Sequence, residues 1–114
     1  MLEFPDLLQS KDKLINDLTS EKKIDSSDVT VIASPYRICP LGAHIDHQGG
    51  PVLGMTINAC TLMAFHPSDD TFINLRSKNY PGKVKFDIRN IPESTGSFWG
   101  CYPRAAALAL QEKY

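Results

Sequence analysis

"VTVIASPYRICPLGAHIDHQGGPVLGMTINACTLMAF", residues 29–65, is the stretch that decides how this chain folds. Its opening, "VTVIAS", is a β-branched run of strand type. From Arg37 to Leu41 the backbone can stay extended, provided that Pro40, which has no amide to donate, faces away from a ladder partner. "DHQGG", residues 46–50, is a turn, where Gly49 and Gly50 let the chain reverse sharply and let another segment or a ligand approach closely. Residues 51–65 are the longest apolar stretch. Their Val, Leu, Thr and Ile content, with Gly54 near the start, favours one or two buried strands over a helix.

On the N-terminal side, Leu7, Leu8, Leu14, Ile15 and Leu18 recur at helical spacing, with Pro5 placed for the first turn, where its missing N–H costs nothing. "SEKKIDSSD" is a polar connector. On the other side, "HPSDD" turns the chain, and "TFINLRS" and "KVKFDIRN" alternate at strand period around "KNYPG", whose Pro-Gly pair is of hairpin type. An antiparallel pair is expected there, with Phe72 or Ile73, Phe86 and Ile88 on its inward face. "CYPRAAALALQEKY" reads as a helix, with Pro103 in its first turn and an Ala/Leu face for packing. The order helix, strands, hairpin, helix gives an α+β fold, a mixed sheet with helices packed on one face. Residues 1–27 form the helix and connector of this single domain, and residues 28–114 form the rest.

Bulk properties narrow the function. At 114 residues the chain is one domain at most, small for an enzyme that must hold two substrates. Hydrophobic residues at 42% and charged residues at 22% are globular values. A net charge of −1 carries no nucleic-acid footprint, which needs a clustered Lys/Arg excess. Cys39, Cys60 and Cys101 are an odd set without a Cys-x-x-Cys pair, so reduced, mostly buried thiols are expected in place of a disulfide framework or zinc knuckle. The N-terminus lacks the pattern of a secretory signal, and no stretch reaches the roughly twenty apolar residues of a membrane span, so a soluble cytoplasmic protein is expected.

The chemistry concentrates between residues 35 and 50. Arg37 offers a planar, permanently charged fork suited to phosphate or carboxylate. His44 and Asp46 lie two apart, so on an extended segment they point to the same face and grip one small polar ligand together. Two other readings stand beside this one. A solvated arginine, a satisfied histidine and a turn-capping aspartate need no ligand at all; alternatively His44, Asp46 and His47 supply nitrogen and oxygen donors to zinc, as in a small metal-binding hydrolase.

The stretch resembles the first signature of the galactokinase branch of the GHMP sugar kinases, Pro-Gly-Arg-Val-Asn-Leu-Ile-Gly-Glu-His-Thr-Asp-Tyr-Asn-Gly-Gly followed by Val-Leu-Pro-Met. Pro35, Arg37, Gly42, His44, Asp46, Gly49, Gly50, Val52, Leu53 and Met55 match it in order. "SPYRICPLGAHIDHQGG" is also very similar to the plant galacturonokinase version, and weaker likeness continues from about residue 28 to "FWGCYPRAAALAL", which resembles a Trp-containing helix that follows the hairpin in this family. The resemblance implies the N-terminal part of a GHMP-kinase domain. It also implies that Arg37 assists transfer of the ATP γ-phosphoryl group to the anomeric hydroxyl, that His44 and Asp46 hydrogen-bond pyranose hydroxyls, and that Gly49 belongs to the same sugar site. Residue chemistry agrees: Asp accepts from neighbouring hydroxyls, His donates or accepts, and a guanidinium stabilises a transferring phosphoryl group.

Two departures carry information. Ala43 replaces the family Glu, which by the resemblance bonds the C6 hydroxyl of galactose, and His47 replaces Tyr. A glutamate roughly 5 Å from a C6 carboxylate repels it by about 3 kcal/mol at an effective dielectric of about 20. That discriminates by about two decades. Ala43 lifts the penalty and His47 attracts the carboxylate, so a galacturonokinase-type preference for D-galacturonate is expected.

The family's glycine-rich phosphate loop, with amides at a helix N-terminus, and its later catalytic Asp have no counterpart in this sequence. ATP and Mg2+ are expected for the complete family enzyme, with no site for them here. The expected partners are a small-molecule sugar or sugar acid and a C-terminal portion that completes the fold; without that portion the 114 residues are expected to be inactive, and a non-catalytic sugar-binding or sensor remnant is the alternative.

Overall fold

Asp6 begins the first element by using its carboxylate to accept from the amide of Leu8 at 2.9 Å, which caps α1, Leu7–Lys22. The computed structural model describes residues 6–93 and 98–114, and for Asp46 the backbone only. Pro5, expected in the first turn of the helix, lies outside the described residues. The chain divides into two compact units, Met1–His66 and Pro67–Tyr114.

In the first unit, α1 ends at Lys23 in the left-handed conformation, φ 55°, with its amide donating to Thr19 O at 2.8 Å. Leu14, Ile15 and Leu18 are half-buried, whereas Leu7 and Leu8 at the start of the helix are exposed, so only the later turns of the apolar stripe are used. A short 3-10 turn, Ser26–Asp28, is capped by the Asp25 carboxylate accepting from Ser27 N at 2.9 Å. These hydrogen bonds hold the Asp25 carboxyl below its ordinary range.

The chain then runs as β1, Thr30–Leu41, reverses, and returns antiparallel as β2, Leu53–Phe65. Val31 faces Ala64, Ala33 faces Leu62 and Pro35 faces Cys60 on one side of this ribbon, while Ile32 faces Met63 and Ser34 faces Thr61 on the other. α1 packs on β2, and Val31, Cys60, Leu62 and Ala64 on the first side are half-buried.

The register changes twice. From Pro35 to Arg37 β1 advances two residues while β2 advances four, from Cys60 to Thr56. An even surplus keeps the faces in phase, so Ile38 and Met55 continue the second side and Arg37, opposite Thr56, continues the first. From Ile38 to Leu41 β1 carries one residue more than β2, a bulge that takes Pro40 out of the ladder as its missing N–H requires. Within residues 51–65, Leu53–Phe65 thus forms one strand, and the expectation that it is buried is corrected. A single helix covers one face of a two-stranded ribbon, leaving Met55 at 53% and Met63 at 45% exposure.

In the second unit, β3, Phe72–Arg76, and β4, Lys83–Asp87, pair as the expected hairpin. Asp70 starts it, accepting from Phe72 N at 3.0 Å and Ser68 Oγ at 2.8 Å. The inward face is Ile73 and Leu75 opposite Phe86 and Val84. Phe72 instead pairs with Asp87 on the outer face, and Ile88 lies past the strand end and is exposed. Val84 and Phe86 are the buried hydrophobic residues among those described, and Val84 is fully buried. Gly100 is seated on this core, since a Cβ there would lie 2.6 Å from Val84 Cγ2.

α2, Cys101–Lys113, follows at once, with Pro103 inside its first turn as expected. Trp99 stands just before the helix, not within it, and its Nε1 donates to Pro81 O at 3.0 Å. Gln111 Nε2 donates to Ile88 O at 3.0 Å, fixing the last turn of α2 to the end of the hairpin. Cys101, Pro103, Arg104 and Ala107 are its half-buried residues, so the packing stripe is narrower than the expected Ala/Leu face.

Among the described residues the fold is a small α+β arrangement of two helices and two antiparallel sheets of two strands each. The expected mixed sheet is not formed among the described strands, because both pairs are joined by short reversals and parallel pairing needs a long crossover.

Candidate functional site

The reversal between β1 and β2, residues 42–52, carries most of the expected site. It opens at Gly42, whose φ of 83° favours a residue without a side chain and whose carbonyl accepts from Ile45 N at 3.1 Å. Ala43, His44 and Ile45 form that turn, and Asp46–Gln48 form a 3-10 turn immediately after it. The Ile45 carbonyl then accepts from both Gln48 N and Gly50 N at 3.1 Å, so one oxygen anchors the second half of the bend. Gly49 completes the reversal with φ 72° and open space where a Cβ would stand.

Two close approaches shut the loop. A Cβ on Gly42 would collide with Pro51 O and lie 3.0 Å from Val52 Cα. On Gly50 it would meet the Ile45 side chain, 2.7 Å from Cδ1.

Ala43, His44, His47 and Gly49 therefore share one closed connector, and all four are exposed. Arg37 is exposed on β1, the strand that feeds the connector, opposite Thr56. The side chain of Asp46 lies outside the described residues, and its backbone belongs to the 3-10 turn. The expectation that His44 and Asp46 share a face through extended backbone is corrected, because Ile45 between them closes one turn and Asp46 opens the next. Gly42 and Ile45 as loop-shaping residues were absent from the sequence expectations. Glycine between an apolar strand end and Ala43 was the available signal for the first, and nothing in the sequence marks the Ile45 carbonyl as a double acceptor.

Among the described residues, no group of three or more His, Cys, Asp or Glu stands together to hold a metal ion; the zinc reading on His44, Asp46 and His47 includes a side chain outside the described residues. Cys39, Cys60 and Cys101 are free and half-buried rather than buried. Two surface hollows occur in the second unit. Pro92, Glu93, Cys101, Arg104, Ala105 and Leu108 line one, and Ile73, Ile88, Ile91, Ala107, Leu110, Gln111 and Tyr114 line the other, with no loop residue in either. No described helix is long and apolar enough to cross a membrane.

Comparison with known proteins places this loop in context. Residues 21–67, which include β1, the loop and β2, match the galactokinase galactose-binding signature. The chain is 46% identical to a galacturonokinase of Arabidopsis thaliana over 76% of its own length and 24% of the relative's. It is 32% identical to a galactokinase of Clostridium tetani over 87% of its length and 26% of the relative's, and 32% identical to a galactokinase of Lactobacillus helveticus over 92% and 27%. The chain thus spans about a quarter of the length of the curated relatives it matches. No solved structure matches it. With the signature lying on the closed connector and its two flanking strands, the chain belongs to the galactokinase family of sugar kinases and corresponds to a short N-terminal part of it.

Proposed function

We propose that this chain is the sugar-gripping N-terminal part of an ATP-dependent sugar-1-kinase of galacturonokinase type. D-galacturonate is its substrate, phosphorylated on the anomeric hydroxyl, in a soluble cytoplasmic enzyme whose fold is of the GHMP-kinase type. Residues 1–114 form part of one sugar-binding domain, with 1–27 as its helix and connector. The observation that carries this reading is Ala43, exposed on the closed loop beside His44 and four residues from His47. Where a glutamate would repel a C6 carboxylate by about 3 kcal/mol at roughly 5 Å, a methyl group leaves room and no charge.

In this reading His44 and Asp46 hold ring hydroxyls, His47 attracts the carboxylate and Gly49 leaves the ring unobstructed. Arg37 neutralises charge on the phosphoryl group in transit. ATP with Mg2+ supplies that group in the complete kinase.

The test is a calorimetric titration of this chain with D-galacturonate and with D-galactose. Millimolar or tighter binding of galacturonate, weaker binding of galactose, and loss of both in Asp46→Ala are the expected results. Equal or tighter galactose binding overturns the uronate assignment, and binding of neither sugar overturns the half-site itself.

A further inference from the structure

The geometry points to Gly42 as a positioning residue for the sugar, one that acts by letting the two ends of the loop meet before any ligand arrives. The inference rests on the sugar-site reading and deepens it. Two independent features converge at this position. Its φ of 83° lies where a side chain is strained, and its missing Cβ is the space into which Pro51 O fits. Either alone describes an ordinary turn. Together they mean that entry and exit of the loop touch backbone to backbone, so the span from Ala43 to Gly50 has fixed ends.

Inside those ends the backbone has little freedom left. Ile45 N is held by Gly42 O, Ile45 O holds Gln48 N and Gly50 N, and the Ile45 side chain fills the space under Gly50. His44 and His47 flank this anchor on either side. A side chain at position 42 pushes against backbone, which cannot swing aside as the tip of a flexible residue can. The loop must open at its neck, and His44 and His47 move with it. Gly49 differs, because its Cβ would meet nothing and no closure depends on it.

Gly82 supplies the control, being a turn glycine with nearly the same φ, 84°, in the second unit, where a Cβ would lie 3.3 Å from the ring of Phe98. Gly42→Ala and Gly82→Ala both lower the unfolding midpoint of the chain. Only Gly42→Ala is expected to weaken D-galacturonate binding, by about tenfold or more, since a binding constellation must be held within roughly 0.5 Å. Affinity within about twofold of the parent overturns the inference. Gly50→Ala, which presses chiefly on the flexible Ile45 side chain and less closely on Ile45 O at 3.1 Å, is the milder variant should Gly42→Ala fail to fold; it is expected to weaken binding measurably without unfolding, and unchanged binding counts against the closure.

A second readout needs no sugar. Amide exchange at Ile45, Gln48 and Gly50 is expected to speed up in Gly42→Ala while amides bonded away from the loop, Lys23 to Thr19 O and Ile88 to Thr71 O, keep their protection. If the parent chain binds no sugar, the functional reading fails, and this exchange pattern alone then decides whether Gly42 holds the loop shut. Unchanged exchange at those three amides overturns the inference.

Discussion

Thr61 donates its hydroxyl to Tyr36 Oη at 3.0 Å, from a position opposite Ser34, and Tyr36 is the residue that β1 leaves unpaired at the first register shift of the ladder. The side-chain bond crosses the ribbon at the point where the register slips. Tyr36 is 52% exposed, so water competes and the bond sits at the low end of its class. Tyr36→Phe is expected to cost about 0.5 kcal/mol, read from the urea midpoint. Faster exchange should appear at the amides between Ile57 and Ala59, where the surplus residues of β2 lie. An equal midpoint with unchanged exchange there denies the bond any part in setting the register.

Gly100 packs against Val84 in the second unit, where a Cβ would lie 2.6 Å from Val84 Cγ2. Gly100 has φ −65°, an ordinary helical value, so alanine there meets no backbone strain and suffers only from its contacts with Val84 and Phe98. Gly100→Ala is expected to destabilise by about 1–3 kcal/mol through overpacking. Val84→Ala is expected to cost about 2 kcal/mol by leaving a cavity. The double variant should be less destabilised than the sum of the two, because the new methyl group enters the space that Val84 vacates. Strict additivity in denaturant melts would contradict the contact.

Arg89 grips Asp87 with Nη2 to Oδ2 at 2.7 Å and Nε to Oδ1 at 3.1 Å, which holds the Asp87 carboxyl far below the usual carboxylate range. A depressed folded pKa contributes stability above the unfolded value of about 3.9 and loses it as pH falls through the folded value. The parent is therefore expected to be more stable than Arg89→Ala at neutral pH by a small margin, since the pair is solvent-exposed, and the two should converge in strong acid. NMR titration of the Asp87 carboxyl carbon should show its midpoint rising toward the ordinary range in Arg89→Ala. An unmoved midpoint shows that the guanidinium is not the cause.

Ala43 governs the proposed choice of sugar. In a full-length galacturonokinase carrying this segment, Ala43→Glu is expected to shift the ratio of kcat/KM for galacturonate over galactose by about two decades toward galactose, the kinetic equivalent of about 3 kcal/mol of charge repulsion. A ratio that stays put means that another part of the enzyme reads C6.

Much of this fold was legible in the sequence because periodicity reports local backbone directly. Leu14, Ile15 and Leu18 marked α1, the alternation in "KVKFDIRN" marked β4, and the glycines at 49 and 50 marked the reversal. Burial was less legible, since it depends on how many layers cover a strand. The apolar run Leu53–Phe65 reads as interior, yet with a single helix on one side of a two-stranded ribbon it keeps an open face. Phe72 and Ile73 are adjacent apolar residues on a strand, and only the pairing of Ile73 with Phe86 separates inward from outward. In the site, residue types announced a polar grip at Arg37, His44 and Asp46. The pairing of His44 with Asp46 by strand geometry did not survive, because a carbonyl that accepts two amides, as at Ile45, leaves no trace in the sequence.

The second side of the ribbon, with Ile32, Ile38, Met55 and Met63 all near half exposure, governs how the isolated chain behaves in solution. Such a strip responds to the solvent's salting character: sulfate or sucrose, which favour burial, should drive chains together, while low concentrations of urea should disperse them before the fold is lost. Dilute, chloride-based buffers are therefore the conditions in which this chain should remain monomeric.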